Sequence, residues 1–353
     1  MAQNNKIRIS NLELLRIVSM LMIIAHHYIL YGVMQHYDDD LKTIVYTSGT
    51  AFNKIIAQFI LPGGVIGVGA FFTIMGYFGI DTEKIKISKT VEKTIFYSVF
   101  GLLIYIVTVN DFECKKMLIY LTPICNSSYW FISVYAILSL MKPVLNHSAE
   151  KINGIGKRKF VIICSAVLTY YLFARFNEST YLGLVQGALF YIIGALLKFN
   201  KQKLTRIHSI GWLAFASVSW CLCVLHCNLD FIGVTRLLNL ARDVGNCVWG
   251  LCSSISLFMF FNSVKEFKNG IVNTIAKSSF AVYLAHEHPL LRETLYSKVF
   301  HVESFQWKSS MFLVYACLTV FCIYIVFGFF DIIIDWSASK LRKPKEHKLS
   351  QMQ

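Results

Sequence analysis

Apolar stretches near the length of a membrane span recur along almost this whole chain of 353 residues, and that leaves little choice of fold. We read ten, at 12–34, 51–80, 94–109, 130–144, 160–174, 181–197, 207–227, 246–264, 271–291 and 309–335. The second and last are long enough to tilt or kink, while the third to fifth are short. No segment of comparable size remains for a soluble domain. The composition agrees, with 56% hydrophobic residues against 15% charged. The expected fold is an all-α polytopic membrane protein of about ten transmembrane helices. Residues 1–340 form its single membrane domain and 341–353 a basic cytoplasmic tail.

A net charge of +14 raises the question of a nucleic-acid partner, and the placement of the charges answers it. Of the 34 Lys and Arg residues, 21 fall in the N-terminus, the tail and the alternate loops 81–93, 145–159, 198–206 and 265–270. The five other loops hold nine, and Arg16, Lys54, Lys142 and Lys277 lie within or at the edges of spans. By the positive-inside rule both termini are then cytoplasmic, as an even number of spans requires. The acidic run Asp38-Asp39-Asp40 falls in the first outer loop, in keeping with that orientation. The basic surplus is a topology signal, with membrane lipid rather than nucleic acid as the partner.

The first span carries the most informative chemistry. Arg16 and His27 are eleven residues apart, roughly three helical turns plus 20°, so they point the same way about 16 Å apart along the axis. Titratable groups inside a bilayer are costly and mark a cavity, a pathway or a partner. His26 is rotated about 100° from His27 and should face another neighbour. Glu13, three residues before Arg16, is placed to pair with it. Such a span, with Arg16, His26 and His27 in its apolar stretch and no clear small-x-small site after it, does not read as a cleaved signal peptide.

Depth connects this span to others. His27 lies fifteen residues beyond Leu12, and His286 fifteen beyond Ile271, in two spans that run the same way. Both histidines should therefore reach one level, roughly 22 Å along their helices. Tyr129, Trp130 and Phe131, entering from the outside, belong near it as well, whereas Arg16 and the loop lysines Lys84, Lys86, Lys89 and Lys93 lie toward the cytosol. One end is thus cationic and suited to a phosphorylated donor. The other bears histidine and carboxylate and suits proton transfer from a hydroxyl.

Plainer readings stand beside these. Among His286, Glu287 and His288, before Pro289, at least one is expected to be a solvated cap. The aromatics Tyr129, Trp130, Trp307 and Trp336 fit an interfacial belt. The glycines of 61–69 fit close helix packing, with a helix break beside a cavity wall as the sharper alternative. Ten cysteines lie mostly within or at the ends of spans, where they act as small apolar residues. Cys114 and Cys125 share an outer loop and could pair. Cys221, Cys223, His226 and Cys227 follow no standard zinc spacing, so no metal is expected.

Four segments in order resemble the acyltransferase-3 family, ten-span membrane acyltransferases that O-acetylate bacterial surface glycans. They are Glu13-Leu-Leu-Arg16 through to His27, Phe71-Phe72 through Gly76-Tyr77-Phe78, Tyr129-Trp130-Phe131, and Tyr283-Leu284-Ala285-His286. The resemblance implies acetyl-CoA as donor from the cytosolic side, His27 as catalytic base and Arg16 as a residue that positions the donor. Where such proteins often carry an arginine pair after the second span, this chain offers Lys84, Lys86, Lys89 and Lys93, of which Lys89 and Lys93 are taken as donor contacts. Lysine meets phosphate as a point charge, without arginine's bidentate fork.

The function expected is acetyl-CoA-dependent O-acetyl transfer to a capsular or other surface polysaccharide, or its lipid-linked precursor, in the plasma membrane. Tyr129, Trp130, His286 and Glu287 are the candidate acceptor-binding or orienting residues. A transporter or flippase for a lipid-linked glycan is the alternative, in which the charged stripe lines a passage.

Overall fold

The computed structural model describes residues 9–34, 49–82, 84–85, 87–109, 114–125, 128–155, 182–201, 208–227 and 237–349. Among these residues the regular structure is entirely helical. The expected span at 160–174, the acidic run of the first outer loop and the basic cluster Lys157-Arg158-Lys159 lie outside them, as does Lys86.

Helix α1 (Ser10–Gly32) is the hub and packs against much of the remaining bundle. Its apolar residues Leu15, Met20, Ile23, Ile24 and Tyr28 are buried, as a span wrapped by other helices requires. The apolar run that follows is broken in two, α2 (Ala51–Ile60) and α3 (Gly63–Gly79), at Leu61-Pro62. Proline has no amide hydrogen to donate to the preceding turn, which makes this a natural place for the break. Thr50 caps α2 by accepting from the Asn53 amide at 3.2 Å. The glycines just past the break let α3 lie against α1. A Cβ on Gly67 would stand 2.7 Å from the Ser19 carbonyl, and one on Gly64 would strike the His26 ring. Both readings of the glycine segment therefore hold, close packing and a break at a cavity wall.

Helices α4 (Ser88–Val109), α5 (Cys114–Leu121), α6 (Trp130–Leu140) and α7 (Lys142–Asn153) follow. The expected fourth span thus stops at Leu140, where Met141 and Pro143 start a new helix. Helix α8 (Leu182–Phe199) packs closely against α3. A Cβ on Gly76 would land on the Tyr191 carbonyl, and one on Gly194 on the Thr73 carbonyl, so backbone meets backbone from both sides. Helices α9 (Ser209–Cys227) and α10 (Leu237–Ser263) pair with each other.

Helix α11 (Gly270–His286) starts at Asn269, whose side chain accepts from the Ile271 and Val272 amides. It ends five residues earlier than the hydropathy suggests, because Pro289 and the turn around it cannot continue the helix. The last helix, α12 (Phe312–Leu349), runs on through the basic residues expected to form a tail. Its residues Leu318, Ile325 and Phe329 are exposed in a pattern suited to lipid contact.

Among the described residues, four helical segments are long and apolar enough to cross a membrane: Ser10–Gly32, Ala51–Gly79, Ser88–Thr108 and Phe312–Lys340. Shorter apolar helices accompany them at Trp130–Leu140, Gly183–Phe199, Ser209–Leu225 and Val248–Ser263. Two belt residues are corrected by the packing, and Tyr129 is one of them, being fully buried. Trp307 is fully buried against Phe312, with Asn53 donating to its carbonyl at 2.8 Å, while Trp336 remains exposed.

Candidate active site

Helices α1 and α11 lie side by side, parallel and in register. Ser10 bonds Asn269 and Asn273 at one end, and His27 meets His286 at the other. The separation in sequence is 259 residues for both the Ser10–Asn269 and His27–His286 pairs. The common depth expected for the two histidines is therefore realised as direct contact.

The contact sets the protons. His286 Nδ1 stands 2.6 Å from the Val282 carbonyl, which can only accept, so in the neutral ring that nitrogen carries the hydrogen. Nε2 of His286 is then a bare acceptor, 3.0 Å from His27 Nδ1. His27 must donate from Nδ1, and its lone pair is left on Nε2, on the opposite ring edge. Glu287 Oε2 lies 3.1 Å from His27 Nδ1 but accepts no well-directed hydrogen bond, so it acts on His27 as a flanking charge. Its other oxygen is held by the Tyr31 hydroxyl and by Arg292, each at 2.8 Å, and the Arg292 guanidinium lies 4.5 Å over the Tyr31 ring. His286, Glu287 and His288 are all buried, which overturns the expectation of a solvated cap; His288 bonds the Ser98 carbonyl at 3.0 Å.

His27 lines a cavity of about 320 Å³ with His26, Tyr31, Trp130, Gln186 and Tyr283 among its walls. His26 is tied by Nδ1 to the Leu61 carbonyl at 2.7 Å, at the break between α2 and α3, and so does face a different neighbour from His27. Trp130 reaches the cavity. Tyr129 is buried beside it, packing on Tyr283 and His288, and His286 and Glu287 stand behind His27.

A second cavity, of about 410 Å³, opens one level down the same two helices. Arg16 and Met20 line it from α1, Lys277 and Ser279 from α11, and Lys89 and Lys93 from α4. Arg16 donates to both Glu13 oxygens at 3.1 Å, the expected pair. Lys93 is bound to buried Asp331 at 2.6 Å, and Tyr97 donates to the same carboxylate at 3.0 Å. Tyr283 lines both cavities and forms the partition between them. Lys84 does not line either one; its carbonyl accepts from Lys142 at 3.4 Å.

Among the candidate site residues, sequence reasoning did not single out Tyr31, Gln186, Lys277, Tyr283 as a shared wall, or Arg292. Tyr31 follows His27 by four, so helical period alone brings it onto the same face. Among the described residues His27, His286 and Glu287 also form the one group whose ligand atoms, within 4.8 Å of one another, could hold a metal. The hydrogen bond above uses the same two nitrogens. In the segment 221–227, Cys221 is a free, exposed thiol and Cys223 is buried, while the side chains of His226 and Cys227 lie outside the description. Cys125 is likewise free.

The fold and site define a helical membrane protein with a buried histidine beside one cavity and a cationic cavity behind it. The sequence profile described as an acyltransferase domain matches residues 9–331, and the chain belongs to the acyltransferase-3 family. Comparison with curated proteins gave no match, and comparison with solved structures gave none.

Proposed function

We propose that this acyltransferase moves an acetyl group from acetyl-CoA to a hydroxyl of a cell-surface polysaccharide, or of its lipid-linked precursor, at the plasma membrane, with His27 as base. The observation that carries the proposal is the hydrogen-bond chain Val282–His286–His27, which leaves the lone pair of His27 on Nε2 in a residue that lines a cavity. A general base needs that lone pair within reach of the hydroxyl it deprotonates. In the step proposed, His27 Nε2 takes the hydroxyl proton as the oxygen attacks the thioester carbonyl. The carbon–sulfur bond breaks, and the imidazolium returns its proton to the departing thiolate. Glu287, anchored by Tyr31 and Arg292, offsets the positive charge that His27 carries in between.

The second cavity supports the donor half of the proposal. Four cationic side chains surround a space beneath Tyr283, and phosphates are held by such groups. The reactive end of a donor seated there would extend past Tyr283 toward His27. Trp130 and Gln186, on the walls of the outer cavity, would meet the sugar.

The test is the O-acetyl content of surface polysaccharide, by proton NMR, in cells with the intact gene, a deletion and His27→Ala, the variant's insertion in the membrane being checked separately. Acetyl signals lost in both the deletion and the variant support the enzyme and its base. Acetylation unchanged in the deletion, with polysaccharide missing from the surface, overturns the proposal.

A further inference from the structure

The four cations of the inner cavity are not equivalent. Arg16 is committed to Glu13, and Lys93 to Asp331, a carboxylate only 1% exposed that also accepts from Tyr97. Drawing Lys93 onto an incoming anion would leave Asp331 buried without its counter-charge, which is strongly unfavourable. Lys89 and Lys277 make no ion pair or hydrogen bond among the described residues, and both side chains are exposed where they line the cavity. An anion gains their attraction without breaking a pair.

Lys277 has a further property. It sits on α11, six residues before the partition Tyr283 and nine before His286, roughly 13.5 Å along the axis. The helix that holds the partner of the base therefore also presents a free ammonium to the inner cavity, at a distance an extended pantetheine arm spans. From the loop position alone Lys89 and Lys93 look alike, and Lys277 looks like a residue at the edge of a span. The contacts separate them.

We infer that Lys277, together with Lys89, binds the phosphates of the CoA donor, and that Asp331 holds Lys93 out of that role. The inference rests on the donor reading proposed above and names the residues of this chain that carry it. Phosphate chemistry could also come from a lipid headgroup, so the experiment uses the full-length protein in nanodiscs of phosphatidylcholine, with and without phosphatidylglycerol.

Steady-state transfer is measured with acetyl-CoA and with acetyl-pantetheine, which has the same thioester and no phosphate. Lys277→Gln should raise KM for acetyl-CoA about tenfold or more, the loss of one charged contact, with kcat little changed. Its kinetics with acetyl-pantetheine should match those of the unaltered protein, which also shows that the variant is folded. Lys277→Arg should restore most of the loss.

An unchanged KM for acetyl-CoA in Lys277→Gln overturns the inference, and so does an equal loss with both donors, which is a structural effect. A KM defect seen only when phosphatidylglycerol is present overturns it too, by assigning Lys277 to a lipid. An unaltered protein that uses both donors equally well removes the phosphate site but leaves His27 as base. One that uses neither defeats the donor reading and this inference together.

Discussion

The two cavities lie on successive turns of the same pair of helices, yet they hold their charge in opposite ways. Around His27 the histidines and the carboxylate are tied down: His286 to a carbonyl, Glu287 to Tyr31 and Arg292, His26 to Leu61. Around Arg16 two cations are tied and two are loose. A group that must aim a lone pair at a reacting atom gains from rigid support. A group that attracts a flexible anion does not need it. The difference suggests chemistry above and capture below.

The largest effect expected from breaking this comparison comes from His27. His27→Ala should lower the transfer rate by about a hundred- to ten-thousandfold, the range of a lost general base. Binding of CoA, measured by calorimetry, should stay near that of the unaltered protein, since Lys89 and Lys277 are untouched. Loss of both together would mean that the two cavities are not functionally separate. Glu287→Gln comes next. It keeps the shape and the Tyr31 contact but removes the charge beside His27 Nδ1. The rate should fall about ten- to a hundredfold, the scale of one charged interaction of about 1.5–3 kcal/mol, with KM for the donor unchanged.

A smaller effect, and one that should not discriminate, is expected from the frame that holds both cavities. At Gly76 and Gly194 the backbones of α3 and α8 touch, and any Cβ there meets backbone atoms that cannot swing aside. Gly76→Ala should destabilise the protein by about 1–3 kcal/mol, the usual cost of overpacking. The result should appear as a lower midpoint of thermal unfolding in detergent. Both activities should decline in step with the amount of folded protein. A selective loss at one cavity would show that α3 does more than support.

Some of this was legible from the chain and some was not, for definite reasons. Helical period put Arg16 and His27 on one stripe, and counting residues from the start of each span put His27 level with His286. Both arguments use only the rise and turn of a helix, and the 3.0 Å contact bears out the second. Hydropathy placed the spans but not their breaks. It ran straight through Leu61-Pro62 and Met141 and past His286, since apolar residues continue where the backbone turns. Burial at the end of α11 was missed because Arg292 and Tyr31, on another segment and another helix, satisfy Glu287. The pairing of Lys93 with Asp331 joins residues 238 apart, and no local pattern encodes it.

The smallest expected effect is none, and it sharpens the comparison most cheaply. Among the described residues His27, His286 and Glu287 are arranged closely enough to chelate, so a metal centre is a rival chemistry that the same side chains could run. The two uses exclude each other atom by atom. In the hydrogen-bonded form, the lone pair of His286 Nε2 accepts the proton of His27 Nδ1, and His27 works through Nε2. If the inner nitrogens held an ion, both would have to give it their lone pairs, and the proton of His27 would have to move to Nε2, where it would abolish the base. Dialysis of the detergent-purified enzyme against a strong chelator, followed by transfer assays with and without added Zn²⁺, separates the cases. Unchanged activity after chelation, with inhibition on adding Zn²⁺, fits the proton chain, because an ion at this site would take the nitrogens that orient the base. Activity lost on chelation and restored by the metal would transfer the chemistry from His27 Nε2 to a bound ion. The outer cavity would then be a capture site as well.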